Sequence, residues 1–297
     1  MPSIRARIAS LAVRGLIRRD RLKREEAAAH FRKALERPLL PPVGLRGVSI
    51  GHRAREHVPC DELSVNDPER TLLYLHGGGF VAGTPRTYHN MCGRLARQTR
   101  ARVWIPDYRL APEHPFPTPL EDCLSVYRSL LEGGVDPRQL VVAGDSAGGS
   151  LTLALLLTLR DNGEPLPACA ITLSPATDAT LSGQSMRENA RSDAMLSPTM
   201  VEHAASLYLQ GADPALPAAS PLWGEFEGLP PLMITVSESE CLRDDALRVA
   251  DKARKAGVPV ELVSRRGLPH VWPVLVPVVP EASRDIERMA RFIHTHA

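Results

Sequence analysis

The chain has 297 residues, 36 Lys and Arg against 34 Asp and Glu, a formal net charge of +2, 43% hydrophobic residues and 24% charged residues. The near balance of charge excludes a dedicated nucleic-acid binder, which needs a concentrated surplus of Lys and Arg to displace counterions from phosphates. The apolar content excludes a disordered chain, because it can bury enough surface to offset the entropy of ordering.

Residues 1 to 37 carry 11 Lys and Arg against 4 Asp and Glu, so the rest of the chain is net acidic. Within them Ile4, Ile8, Leu11, Ala12 and Gly15 recur at helical spacing, as do Ala27, Ala28, Phe31, Ala34 and Leu35, which predicts two short amphipathic helices. A basic amphipathic helix can lie on a membrane surface. The modest stripe favours a helix that packs its apolar side on the rest of the protein. Arg5, Arg7, Arg14, Arg18 and Arg19 interrupt any signal-peptide core, and no stretch nears the roughly 20 apolar residues that span a bilayer. The expectation is a soluble cytoplasmic protein with no stable membrane insertion. Cys60, Cys92, Cys123, Cys169 and Cys241 are scattered, form no Cys-x-x-Cys pair, and read as reduced thiols.

After Pro38, Pro41 and Pro42 short β-rich runs appear at 72–75, 103–105, 140–143, 170–173, 232–236 and 258–263. Amphipathic segments of helix length lie at about 87–99, 119–132, 147–161, 243–256 and 281–295. Apolar strands alternating with helices predict an α/β fold with a mostly parallel central sheet covered by helices on both faces. The stretch from 183 to 217 is polar and helical, carries no strand, and reads as an insertion.

Gly144-Asp145-Ser146-Ala147-Gly148-Gly149 follows the third of these runs and opens a helix. Gly-x-Ser-x-Gly in that setting is a nucleophile elbow: the serine takes a strained backbone at the strand-to-helix turn, and small residues two before and two after it avoid collision. A phosphate-binding loop fits worse, because no Lys-Ser/Thr follows the glycines and no Gly-x-Gly-x-x-Gly opens the first βα unit. His76-Gly77-Gly78-Gly79-Phe80 follows the first run. Its unshielded amides can approach a substrate oxygen, so Gly78 and Gly79, with Gly77 as a third candidate, join the amide of Ala147 as donors to an oxyanion.

These motifs occur together with Asp107-Tyr108-Arg109-Leu110-Ala111-Pro112-Glu113, Ser174-Pro175 with Asp178, and Gly267-Leu268-Pro269-His270-Val271-Trp272. In this order and spacing the chain resembles the hormone-sensitive-lipase-like α/β-hydrolases, the bacterial family IV esterases. The resemblance implies N-terminal cap helices over 1–45, a catalytic α/β-hydrolase domain over 46–182 and 218–297, and a cap insertion over 183–217. It implies a serine carboxylester hydrolase for short to medium acyl esters, with lactones and acetylated small molecules also open. No metal or organic cofactor is called for.

His270, in a loop between the last strand and the last helix, is the expected base; His52, His57, His89, His114, His203, His294 and His296 fit worse. The family's acid is commonly an aspartate, whereas register here gives Glu240, within Ser237-Glu238-Ser239-Glu240-Cys241-Leu242-Arg243-Asp244-Asp245. The order Ser…Asp/Glu…His is kept, and Glu can accept the ring N–H as Asp does. Glu238 is the second choice, while Asp244 and Asp245 fit the first turn of a helix. Asp107, Tyr108, Arg109, Glu113 and His114 read mainly as loop scaffold. Phe80 and Trp272 are the expected substrate-binding side chains, with Trp223 a weaker candidate. The expected partner is a small-molecule ester; a homodimer is implied by analogy only. The competing reading is a catalytically silent small-ligand-binding protein on the same fold, as in some plant hormone receptors.

Overall fold

Aliphatic and β-branched runs form the strands of one eight-stranded sheet in this computed structural model, which describes residues 1–36, 43 and 45–297. The boundary read at Pro38, Pro41 and Pro42 lies outside the described residues. A hairpin, Ser49–Arg55 (β1) and Val58–Ser64 (β2), comes first, followed by Arg70–Leu75 (β3), Ala101–Pro106 (β4), Leu140–Asp145 (β5), Cys169–Leu173 (β6), Leu232–Ser237 (β7) and Val260–Arg265 (β8). Their order is β1-β2-β4-β3-β5-β6-β7-β8. The six strands from β3 to β8 are mutually parallel, while β1 pairs antiparallel with β2 and β2 antiparallel with β4. The parallel part follows the predicted runs. The hairpin is an addition: β1 reads Ser-Ile-Gly-His-Arg-Ala-Arg and is largely exposed, so it carries no apolar signal.

The helices are Ile4–Leu16 (α1), Arg24–Leu35 (α2), His89–Thr99 (α3), Thr118–Glu132 (α4), Ala147–Asp161 (α5), Ser185–Glu188 (α6), Pro198–Leu209 (α7), Arg243–Lys255 (α8) and Pro280–His296 (α9). Side chains of successive strand residues point to opposite faces. Leu73, Leu75 and Val142 therefore pack with α4, α5 and α8, whereas Leu72, Tyr74, Val141 and Ala143 pack with α3 and α9. Helix α5 is buried almost all round, which explains its leucines. A third apolar cluster joins Val13 and Ile17 at the end of α1, Phe31 of α2, Met195 and Leu196, and Met200, Ala204 and Leu207 of α7.

One expectation for α1 is reversed. The stripe Ile4, Ile8, Leu11, Ala12 and Gly15 faces away from the protein, and the packed side is Ala6 and Val13, continued by Ile17. Ala6 packs in the cluster that contains α9, and Val13 and Ile17 pack in the cluster that contains Phe31 of α2 and Met200 and Ala204 of α7. In α2 the expected side is the packed one, with Ala27 and Phe31 buried.

Candidate active site

Four chain segments reach the site from the C-terminal ends of β3, β5, β7 and β8, where parallel α/β sheets open their ligand crevices. Ser146 follows β5 directly and caps α5 with φ 52° and ψ −118°. That backbone costs on the order of 1–3 kcal/mol in a non-glycine residue and persists only where its surroundings force it. Here the Ser146 amide donates to the Leu173 carbonyl at 2.8 Å and its carbonyl accepts from Ala176 at 3.1 Å. The flanking glycines are required by space. A Cβ on Gly144 would strike the Gly148 carbonyl, and one on Gly148 would strike the carbonyls of Leu75 and His76.

His270 is buried, and its Nδ1 lies 2.9 Å from Glu240 Oε2. The loop carrying it is pinned on both sides: Ser237 Oγ donates to the Leu268 carbonyl at 2.6 Å, and the Val271 amide donates to Ser174 Oγ at 3.3 Å. Nε2 of His270 has no hydrogen-bond partner among the described residues, and His270 and Ser146 line one cavity. Burial pulls the imidazole pKa down, but the charge and hydrogen bond of Glu240, with Asp193 and Asp145 beyond it, raise it overall. Burial likewise raises the Glu240 carboxyl, and His270 pulls against that rise.

The other candidate acids are engaged elsewhere. Glu238 is exposed and accepts from Ser264 Oγ at 3.3 Å. Asp244 and Asp245 sit in the first turn of α8, where Asp244 accepts the Ser185 amide and Asp245 accepts the amides of Thr177 and Asp178. Glu240 itself is held from the 183–217 insertion. Asn189 Nδ2 donates to the carbonyls of Glu238 and Glu240, Asp193 Oδ2 accepts the Cys241 amide, and Ser185 Oγ donates to the Cys241 carbonyl.

The glycine loop after β3 turns through positive φ at Gly78, Gly79 and Phe80. A Cβ on Gly78 would meet the Ala82 carbonyl, so only glycine fits there. The amides of Gly78, Gly79 and Ala147 have no hydrogen-bond acceptor among the described residues. Gly77 does not join them. Contrary to expectation its N–H is engaged, donating to Asp145 Oδ1 at 2.9 Å and to the Tyr88 hydroxyl at 3.0 Å.

Asp145 is the residue that motif reading passed over. It is fully buried, accepts from the hydroxyls of Tyr74 at 2.9 Å and Tyr88 at 3.1 Å as well as from Gly77, and burial raises its pKa to about 6 against the pull of those donors. It ties the glycine loop to the nucleophile turn. The available signal was a carboxylate inside an otherwise apolar turn, because such a group must find donors. His76 stacks on Tyr108 with centroids 4.2 Å apart, and burial lowers its pKa to about 4, so it stays neutral. Tyr108 donates to the His76 carbonyl at 2.6 Å, Arg109 pairs with the buried Asp122, and Glu113 pairs with Arg32 of α2; this stretch is scaffold as expected. Asp107 is exposed, and desolvation of its carboxyl, with the charges of Asp61 and Glu36, raises its pKa.

The cavity holding Ser146 and His270 measures about 130 Å³. Phe80 lines it, stacked on Tyr208 at 3.8 Å, and so do Ile17, Phe31 and Leu35 from the N-terminal helices and Met195, Leu196 and Val201 from the insertion. Trp272 does not, which corrects its expected substrate role. It is wholly buried against α9, its indole N–H donating to Asp285 at 2.9 Å, because Val271 takes a left-handed backbone (φ 50°) and turns the chain under the sheet. Trp223 is half-exposed, outside the cavity lining, and donates to Asp178 at 3.3 Å. No cluster of three or more His, Cys, Asp or Glu able to hold a metal ion occurs among the described residues.

A strained serine at a strand-to-helix turn, sharing a cavity with a carboxylate-paired histidine at the end of a parallel sheet, defines an α/β hydrolase. The chain belongs to the family described by the alpha/beta hydrolase fold, matched over residues 72–274, and within it to the hormone-sensitive-lipase-like group. It is 40% identical to an acetyl-hydrolase of Streptomyces hygroscopicus over 84% of this chain and 82% of that one, and 32% identical to an esterase of Acinetobacter venetianus over 86% and 83%. Among solved structures, an esterase from the bacterial hormone-sensitive lipase family superposes with a TM-score of 0.91 at 36% identity, covering 100% of this chain and 99% of that chain. EstE5 soaked with p-nitrophenyl butyrate superposes with a TM-score of 0.89 at 33% identity, covering 98% of each chain.

Proposed function

We propose that this enzyme is a serine carboxylesterase for short-acyl esters, working through Ser146, His270 and Glu240. The observation that carries the reading is the buried His270–Glu240 pair, whose histidine keeps one unpartnered ring nitrogen and lines the same cavity as the strained serine. Glu240 orients the imidazole and stabilises its charged form, His270 takes the Ser146 proton, and Ser146 attacks the ester carbonyl. The amides of Gly78, Gly79 and Ala147 receive the oxyanion; losing one such donor costs about 100- to 1000-fold in kcat. The alcohol leaves with a proton from His270, and water, activated by the same ring, releases the acid from the acyl-enzyme.

Two observations support a short acyl group. The cavity volume of about 130 Å³ is close to the ~150 Å³ that accommodates a benzene ring in an engineered cavity, and the Streptomyces relative is named an acetyl-hydrolase. The N-terminal helices and residues 183–217 act together as the cap over that cavity. Five unpaired, buried cysteines support a reducing, cytoplasmic setting, and the outer edge of β8 offers a strand for pairing two copies.

The test is hydrolysis of p-nitrophenyl acetate and butyrate by the wild type and by Ser146→Ala. Loss of at least about 10³-fold in kcat is expected for the variant, from the loss of the nucleophile. Equal activity in both proteins would remove Ser146 as the nucleophile, and activity absent from both would leave the silent ligand-binding reading in its place.

A further inference from the structure

The exposed side of α1 has no function in the hydrolase site. Ile4, Ile8, Leu11 and Leu16 are 76%, 61%, 71% and 59% exposed, although their helix is firmly docked through Ala6 and Val13. At 3.6 residues per turn, Leu11, Ile4 and Ile8 fall within an arc of about 60°. Arg7 and Arg14 flank that arc on one side and Arg5 on the other, all exposed. The helix has no acidic residue. Arg14 reaches back to the carbonyls of Arg191 and Asp193, which fixes the helix against the insertion with its apolar stripe outward.

We propose that α1 is an interfacial helix that docks the protein on an anionic lipid surface. An apolar stripe buried at the boundary of headgroups and acyl chains, with arginines on both flanks reaching phosphate, is the arrangement such helices use. Charge selects this occupant over a second copy of the chain. Two α1 helices face to face would bring Arg5, Arg7 and Arg14 against their equivalents with no acidic group in either helix, whereas anionic headgroups supply the missing sign. Only the helix surface takes part, and no segment enters the bilayer core. The residue after Leu16 is Ile17, which turns inward and lines the cavity holding Ser146, so docking places part of the cavity wall next to the lipid phase.

The experiment is co-sedimentation of the full chain with phosphatidylglycerol-rich vesicles and with vesicles of phosphatidylcholine alone, which needs no catalytic activity. Wild type is expected to sediment with the anionic vesicles and to be released by added salt. Ile4→Glu/Ile8→Glu/Leu11→Glu is expected to partition at least about tenfold more weakly, because each substitution removes an exposed apolar side chain from the contact with lipid. Arg5→Glu/Arg7→Glu is expected to lose the preference for anionic lipid. Because these positions are exposed and outside the cavity, wild-type-like circular dichroism and thermal melting serve as the check on folding. The proposal is overturned if wild type stays in the supernatant, if the triple variant sediments as well as wild type, or if the triple variant instead abolishes a concentration-dependent dimer seen by gel filtration.

Discussion

His270 is pulled two ways. Burial favours the neutral ring, and the adjoining Glu240 favours the charged one, with the carboxylate prevailing. A general base must be neutral, so activity is lost as pH falls through the ring's pKa, and a raised pKa moves that loss to higher pH. The acid limb of kcat/KM is therefore expected above the ordinary histidine value of about 6.5. Glu240→Gln removes the charge, which should shift the limb downward and lower kcat by about 10⁴-fold through a misassigned tautomer. Matched pH–rate profiles of the two proteins check both effects. Trp272 yields a contrasting expectation: Trp272→Phe loses the bond to Asp285, destabilising by about 1 kcal/mol, while kcat/KM for p-nitrophenyl acetate stays within about twofold. A large rise in KM with unchanged stability would return Trp272 to the substrate pocket.

The turn between β5 and α5 and the loop after β3 depend on each other. Asp145 joins them by accepting from Gly77, Tyr74 and Tyr88. Asp145→Ala would leave about two buried donors without an acceptor, a loss of ~2–6 kcal/mol at ~1–3 kcal/mol each. Urea unfolding measures that loss, and kcat should fall with it as the loop amides drift; an unchanged midpoint would show that the carboxylate holds neither segment. The central parallel strands were legible because burial on both faces demands continuous apolar runs such as Leu72 to Leu75. Ser146 and the glycine loop were legible because only glycine fits beside so tight a turn. The β1–β2 hairpin was not, since an exposed edge strand can be as polar as Ser49 to Arg55. Nor was the outward stripe of α1, because periodicity states which residues share a side and says nothing about which side meets the protein.

Across the whole molecule, residues distant in sequence converge on Arg18. It is a buried side chain at the end of the first helical segment, and its guanidinium donates to the carbonyls of Asp193 and Leu196, the latter at 2.9 Å, and of Ala190 at 2.5 Å. Asp193 in turn accepts the amide of Cys241, next to Glu240. Arg18→Ala strands the carbonyls of Ala190 and Leu196 and leaves that of Asp193 to Arg14 alone, and it should lower stability by ~2–4 kcal/mol as a broken buried polar network. Because Ile17, Met195 and Leu196 line the cavity, KM for butyrate esters should rise more than kcat falls. Steady-state kinetics beside thermal melting separate the two, and a fall in kcat alone would contradict this.

That shared clamp also bears on how substrate preference can be re-engineered or exchanged between relatives. Residues 183–217 cannot be transplanted as a cassette, since the carbonyls they carry are tailored to a guanidinium contributed some 170 positions earlier in the chain. A chimera carrying both segments from one parent inherits a matched seam, and one mixing parents leaves the guanidinium with Asp20 but without carbonyls shaped to receive it.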